Sequence, residues 1–102
     1  KRLGDEGRRG KLQLIASRGA REGSVHINQD IDLFASILNE GETQEHSFRP
    51  GRIGWIQVAL GSVAVNGQEL KQGDAVAIAD VDAIRIDGRG KDAEFLLFDM
   101  VR

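Results

Sequence analysis

Short runs of alternating apolar and polar residues recur about every ten positions along the chain, with turn residues between them. One such run, "IGWIQVAL" at 53–60, presents two faces: Gly54, Ile56, Val58 and Leu60 on one, and Ile53, Trp55, Gln57 and Ala59 on the other. Asn66-Gly67 is a strong hairpin signal. Only the run 31–38 fits a strand and a helix equally well. Strands at this spacing predict an all-β sandwich or barrel.

The predicted strands supply two contrasting surfaces. One is a dry aliphatic interior, built by the first set above with Val63, Val65, Val76, Ile78, Ile84 and Ile86. The other gathers small side chains around one tryptophan: Trp55, Ala59, Ala64, Ala75, Ala77 and Ala79. This second surface is open to two interpretations. It is either a solvated face with incidental alanines, or an interface covered by a neighbouring domain or subunit and anchored by Trp55.

Composition restricts the function classes. The chain has 102 residues, which suits one domain, and its 13 glycines and single proline favour tight turns over long helices. It contains no cysteine, which excludes disulfides, thiolate nucleophiles and cysteine metal sites and fits a cytoplasmic location. No apolar run approaches the roughly 20 residues that span a bilayer, so no membrane partner is expected.

Charge is unevenly distributed along the chain. Residues 1–11, "KRLGDEGRRGK", carry five basic and two acidic side chains, whereas the remainder of the chain has a net charge of −5. The basic groups alternate with glycines and have no aromatic partners for base stacking. We therefore predict a flexible interdomain linker at 1–11, one domain at 12–102, and no nucleic-acid partner.

Polar residues offer no convincing catalytic set. His26 and His46 are expected to face solvent by strand alternation. An acidic group, Glu40, Glu42 and Glu45, is expected on a solvated edge, countered by Arg49 and Arg52. Ser47 has no recognisable base. The segment 87–92, "DGRGKD", lacks a following helix and is interpreted as a hairpin loop. We therefore predict no catalytic residue in this chain.

The glycine-punctuated strands resemble the cupin superfamily, whose fold is a small jelly-roll barrel. Metal-binding cupins typically follow G-x5-H-x-H-x4-E-x6-G, and Gly41 and Gly61 match its first and last positions at this spacing. Ser47, Arg49 and Gly54 stand at the ligand positions between them. In the second motif, G-x5-P-x-G-x2-H, started at Gly73, Ile84 occupies the histidine position. The resemblance thus implies the barrel without its metal ligands.

A finer resemblance is to the C-terminal cupin half of bacterial pirin-like proteins. It rests on "GKLQLIAS" (10–17), "EGSVHINQDIDLF" (22–34), "GWIQVALGSVAVNG" (54–67) and "AEFLLFD" (93–99). Such proteins are bicupins. Their N-terminal barrel carries a divalent transition metal and, in some members, a quercetin 2,3-dioxygenase-type activity, and their C-terminal barrel is typically metal-free. A basic linker beginning at Lys1 fits such a half.

Three hypotheses follow. In the first, the chain is a non-catalytic, cofactor-free cupin domain that packs through Trp55 and the alanine surface against the N-terminal cupin of its parent. In the second, it contributes a wall to a metal-dependent dioxygenase whose active site lies in that N-terminal domain. In the third, it binds a small molecule alone, at a barrel mouth near Arg49, Arg52 and Arg85. Assembly into a homo-oligomer also stays open.

Overall fold

Ten β-strands and no helix are found in the part of the chain that the computed structural model describes, namely residues 9–10, 12–17, 25–26 and 31–101. The strands are β1 (Gln13–Ser17), β2 (Val25–His26), β3 (Ile31–Leu38), β4 (Thr43–Ser47), β5 (Arg52–Leu60), β6 (Ser62–Val65), β7 (Gln68–Lys71), β8 (Ala75–Ile78), β9 (Ala83–Gly88) and β10 (Ala93–Val101). The all-β prediction is confirmed, and the ambiguous run 31–38 is strand β3. Within these residues no helix could cross a membrane.

The strands form two facing sheets. The larger has the order β2-β1-β3-β10-β5-β8, and the smaller has the order β4-β9-β6-β7. All pairs are antiparallel except the two-residue pair of β1 with β2. The long strands β3, β5 and β10 lie side by side at the centre of the larger sheet. The chain crosses repeatedly between the two sheets, as in a jelly roll.

The core lies between the sheets and is aliphatic, as the alternation predicted. Its most buried members include Ile56, Val58, Val63, Ile84, Ile86, Phe95 and Leu97. Burying each such side chain stabilises the fold by roughly 1.5–3 kcal/mol, so this layer supplies the main driving force for folding. Gly54 and Ile84, assigned to the interior from the sequence, are both buried there.

Alternation fails at the end of β5. The sequence placed Leu60 in the interior, but its side chain is 48% exposed. The cause is an irregularity in the pairing with β10: Phe95 lies opposite Val58, whereas the preceding residue, Glu94, lies opposite Leu60. The extra residue, Ala59, reverses the face of everything after it.

Two turns were predicted with different success. Asn66 and Gly67 have φ angles of 48° and 87° and join β6 to β7, which confirms the hairpin. The segment 87–92 is not a hairpin loop, because β9 and β10 belong to different sheets. It is a crossover, held by a hydrogen bond from the Asp92 amide to the Asn39 side chain. Local composition could not distinguish the two, since both connections need turn residues.

Two residues of the predicted linker contact the domain. The Gly10 amide donates a hydrogen bond to the Ile37 carbonyl, and the Gln44 side-chain amide donates to the Gly10 carbonyl. Arg9 forms an exposed ion pair with Asp92. These contacts link β3, β4 and the β9–β10 connection at one end of the sandwich. The other residues of 1–11 lie outside the described chain.

A buried charged cluster and its pocket

The interior positions of β4 differ by one residue from those assigned by the motif. His46 lies opposite Ile84 in the pairing of β4 with β9, so both side chains project into the sandwich. Ser47 and Arg49 are exposed, whereas Phe48 between them is buried. The prediction that His46 faces away from the interior is therefore wrong. Outward and inward residues alternate without a break from Glu45 to Arg49, one residue out of phase with the motif, and motif spacing carries no information on that phase.

Phe48 occupies the space beside Gly54. A Cβ atom added to Gly54 would lie 2.6 Å from Phe48 Cζ, closer than carbon atoms can approach. The absence of a side chain at Gly54 is thus what admits the phenyl ring. Where the motif of metal-binding cupins has a glutamate, this chain has a glycine covered by an aromatic ring.

His46 is fixed by aromatic rings and a carboxylate. Phe34 and Phe48 contact the imidazole edge to face, with ring centroids 5.0 and 4.9 Å from it. Its Nε2 is hydrogen-bonded to Asp99 Oδ2 at 2.7 Å. His46 belongs to the smaller sheet and Asp99 to the larger one, so this bond joins the two sheets across the interior.

Arg52 completes the cluster. Its Nε donates to the second oxygen of the Asp99 carboxylate at 2.5 Å, and its Nη2 donates to the Asp99 main-chain carbonyl at 2.7 Å. The Arg52 and Asp99 side chains are only 4% and 6% exposed. Asp32, also buried, lies opposite Asp99 in the pairing of β3 with β10. Four polar side chains therefore share the end of an otherwise aliphatic core.

The cluster keeps the Asp99 carboxylate ionised. Burial alone would raise the pKa of Asp99, but the hydrogen bonds from His46 and Arg52, together with the charge of Arg52, outweigh it. The net result is a pKa below the ordinary value. An ionised carboxylate in this position accepts hydrogen bonds from residues of both sheets, and its negative charge compensates the positive charge of the buried guanidinium.

A pocket of about 310 Å³ adjoins the cluster at Arg52, between the β4–β5 and β8–β9 connections. Residues 48–52 and 80–82 line it, and the Phe48 amide donates to the Asp82 carbonyl to hold the two connections together. Arg49 and Arg52, expected at the barrel mouth, do line this pocket. Arg85 does not, because it lies on the outer face of β9 beside Asp87.

The other sequence-selected groups do not converge. Glu42 accepts a hydrogen bond from the Asn39 amide, while Glu40 and Glu45 are exposed, with Glu45 opposite Arg85. Arg52 does not counter these acids, because its charge is directed to Asp99. The side chain of His26 lies outside the described residues.

The residues of the cluster do not fit a metal ion. Among the described residues, no group of three or more histidine, cysteine, aspartate or glutamate side chains is arranged to hold one. The interior imidazole is bonded through Nε2 to Asp99, and the Asp99 carboxylate is bonded to Arg52, a fixed cation. A divalent ion would have to displace that guanidinium. We derive no reaction step through a metal in this chain.

Asp99 is the residue that sequence reasoning missed. A signal for it existed: in β10, Ala93, Phe95 and Leu97 alternate on one face, and Asp99 continues the same face. A carboxylate in register with a buried apolar row needs a partner, because an unpaired buried charge is costly. Arg52 has the matching position at the start of β5, on the face of Gly54 and Ile56.

Gly54→Ala tests the close packing of Phe48. The added methyl group would overlap the ring, and we expect the free energy of unfolding to fall by about 1–3 kcal/mol in urea denaturation. In a Phe48→Leu background the same substitution should cost clearly less, because the atoms it would meet are gone. Equal costs in the two backgrounds would contradict the packing described.

Asp99→Asn tests the charged cluster. It removes the buried carboxylate charge to which Arg52 and His46 are hydrogen-bonded, so we expect a loss of about 3 kcal/mol at neutral pH. Because the pKa of Asp99 is lower in the folded state, its contribution is complete above about pH 4 and is lost as pH falls through the folded-state pKa. The difference between parent and variant should therefore shrink in acid. Asp82→Asn, at an exposed aspartate, is the matched control; a constant difference across pH would refute the assignment.

Comparison with known proteins agrees with this geometry. Residues 14–100 match the family model described as the quercetinase C-terminal cupin domain. A protein named quercetin 2,3-dioxygenase from Escherichia coli (strain K12) is 40% identical over 88 residues, which is 86% of this chain but 38% of the relative. The chain therefore spans well under half the length of that relative.

Solved structures show the same relationship. The structure of YhhW from Escherichia coli superposes with a TM-score of 0.89 at 36% identity, covering 98% of this chain and 41% of YhhW. A structure of bacterial pirin YhhW in complex with nickel(II) superposes with a TM-score of 0.84 at 38% identity, covering 89% of this chain and 39% of the other. The chain belongs to the C-terminal cupin domain family of pirin-like, quercetinase-related proteins.

Proposed function

We propose that this domain is a non-catalytic half of a bicupin, which packs through the outer face of its six-stranded sheet against the N-terminal cupin of its parent and supports it. The observation that carries the proposal is the composition of that face. Both faces of the central strands are apolar, although only the inner one has a partner sheet in the described chain. A strand apolar on both faces is typical of a sheet covered on both sides.

The outer face is defined by the strand register. Apolar side chains on this face in the three central strands are Ile31, Leu33, Ala35, Ile37, Ile53, Trp55, Leu96, Phe98 and Met100. Ala35 and Ile37 are already buried, and the polar Gln57 and Glu94 share the face. Trp55 lies opposite Phe98 on one side and Ala77 on the other, and it is 39% exposed. Large apolar side chains in contact at a partly exposed face are typical of interaction sites, and tryptophan is a frequent anchor.

The smaller sheet provides an internal comparison. Its outer face is polar on the paired strands β4 and β9, where Glu45 lies opposite Arg85 and the Thr43 hydroxyl donates to Asp87. The pKa of Asp87 is lowered, first by that hydrogen bond and then by Arg85. Charged and polar side chains of this kind are stable when exposed to solvent. The two outer surfaces of one sandwich therefore differ in chemistry, and only the larger sheet needs cover.

The predicted interface residues separate into two groups. Trp55, Ala59, Ala75 and Ala77 are all exposed. Ala64 is 1% exposed and lies in the smaller sheet, so its place in the predicted surface is wrong. Alternation within single strands identified small outward side chains but could not show which sheet each strand joins.

The N-terminal cupin is the partner that best suits this face. The chain spans 38–41% of the length of the relatives considered above, so more than half of each relative lies outside the matched region. A metal and a quercetin 2,3-dioxygenase-type activity in the parent would then belong to that other half. Within the described residues, His46 is largely buried and is held by a salt-bridged carboxylate, and we assign this chain no catalytic residue. A cytoplasmic location remains our prediction.

Trp55→Asp tests the docking face. Placing a charge at the centre of an apolar interface should weaken association with the separately produced N-terminal cupin by at least 10-fold, measured by titration calorimetry. Ala83→Asp, which adds the same charge to an exposed position on the smaller sheet, is the matched control and should bind normally. Unchanged binding of Trp55→Asp, or an equal loss in both variants, would refute the proposal.

Metal content tests the assignment of chemistry to the other half. We expect the purified chain to hold no stoichiometric iron, nickel, copper, zinc or manganese after incubation with each, measured by mass spectrometry. The reason is that the Asp99 carboxylate, which a metal ion would need as a ligand, is already paired with Arg52. His46→Ala should leave that result unchanged. One tightly held equivalent, lost in His46→Ala, would make this domain a metal site in its own right.

A further inference from the structure

Strand β8, Ala75–Ile78, forms one edge of the six-stranded sheet. Within the described chain it pairs on one side only, with β5, through the register Gly54 to Ile78 and Gln57 to Ala75. The strand directly adjoins the docking face, because Ala77 lies opposite Trp55. The free backbone groups of β8 and the side chain of Trp55 therefore lie on one continuous surface.

The direction of the free backbone groups follows from one hydrogen bond. The Val58 amide donates to the Asp74 carbonyl at 2.9 Å, and Val58 and Asp74 lie opposite each other in the extended register. Antiparallel pairs alternate between bonded and non-bonded, so Val76 and Ile78 bond to β5. The amide and carbonyl groups of Ala75 and Ala77 therefore point away from β5, toward the free edge.

Within Ala75–Ile78 the edge lacks the usual protection against a further strand, although Gly73 and Asp74, just before it, both bond to Val58 in an irregularity of the ladder. Edge strands are commonly blocked by charged side chains, by proline or by a bulge. Strand β8 has the sequence AVAI, its pairing with β5 is regular, and the side chains of Ala75 and Ala77 are small and exposed. Another backbone can therefore approach over four residues without a steric or electrostatic obstacle.

Charge selects the occupant of the edge. An antiparallel pairing of two copies centred on Ala77 would place Asp74 of each copy opposite Asp80 of the other, and like charges directly opposite are destabilising. A strand with basic residues at its ends would instead be attracted to the same acids. In that register the flanking aspartates disfavour a second copy, and they favour a segment that carries basic residues instead.

We propose that an extended segment of the parent's N-terminal half, carrying lysine or arginine near its ends, adds to β8 and continues the six-stranded sheet across the interface. This inference rests on the proposed function and deepens it. Face packing would position the partner through Trp55, and main-chain hydrogen bonds to Ala75 and Ala77 would fix its register, as in other strand-addition complexes.

Amide hydrogen exchange by NMR tests the inference in the parent protein and in this chain alone. In the parent, the Ala75 and Ala77 amides should exchange about 100-fold more slowly than in the isolated chain, and the Trp55 indole should be shielded from acrylamide quenching. Shielded Trp55 with unprotected Ala75 and Ala77 amides would overturn strand addition and leave face packing intact. Loss of both signals would overturn the proposed function as well.

A substitution pair isolates the edge hydrogen bond. Ala77→Pro removes an amide that does not bond to β5, so the isolated chain should still fold, since proline is tolerated at outward-facing edge positions. In the parent it should abolish the extra protection of Ala75, whereas Ala77→Thr, which keeps the amide, should not. If Ala77→Pro unfolds the chain, exchange in the unsubstituted proteins still decides. Concentration-dependent protection in the isolated chain would identify a second copy and overturn the choice of partner.

Discussion

The Asp99 carboxylate is the point on which the organisation of this domain depends. One oxygen is bonded to His46 of the smaller sheet and the other to Arg52 of the larger sheet. Elsewhere the two sheets contact each other through apolar side chains. Such contacts set the distance between the sheets but constrain little how one sheet slides or rotates over the other. A bonded, largely buried ion pair adds direction, because its hydrogen bonds have fixed partners in both sheets.

The same cluster shows how the polar end of this barrel's interior is filled. His46 projects into the interior, and its Nε2 is bonded to a carboxylate that is itself held by a guanidinium. Phe48 lies over Gly54, where the motif of metal-binding cupins has an acid. A salt bridge and an aromatic ring together occupy this end of the described core.

The outer surfaces of the two sheets differ in polarity. The smaller sheet presents paired charges to solvent, and the larger sheet presents Trp55, Phe98 and their aliphatic neighbours. The edge strand β8 adjoins this apolar surface and is bounded by aspartates. Apolar area supplies affinity, whereas a strand edge and its flanking charges supply register and discrimination.

Sequence alone determined the fold class, the turn at Asn66-Gly67, the buried row from Ile56 to Ile86, and the family. The first three features depend on local periodicity and turn residues, which are properties of neighbouring positions. The family was indicated by the resemblance of particular stretches, such as 54–67 and 93–99, to pirin-like sequences. The helix-or-strand ambiguity of 31–38 could not be settled this way, because an apolar run of that length suits either structure. Pairing with β10 on one side and β1 on the other decided it.

Tertiary structure decided everything that depends on which strands face each other. The sequence could not show that Leu60 is exposed, because the irregularity lies in the pairing with β10. Nor could it show that Ala64 belongs to the smaller sheet, or that segment 87–92 crosses between sheets. His46 and Asp99 are 53 residues apart and joined only by the packing of two sheets. Alternation assigns a side chain to one of two faces, and only the sheets that assemble around a strand determine which face is buried and which charge it meets.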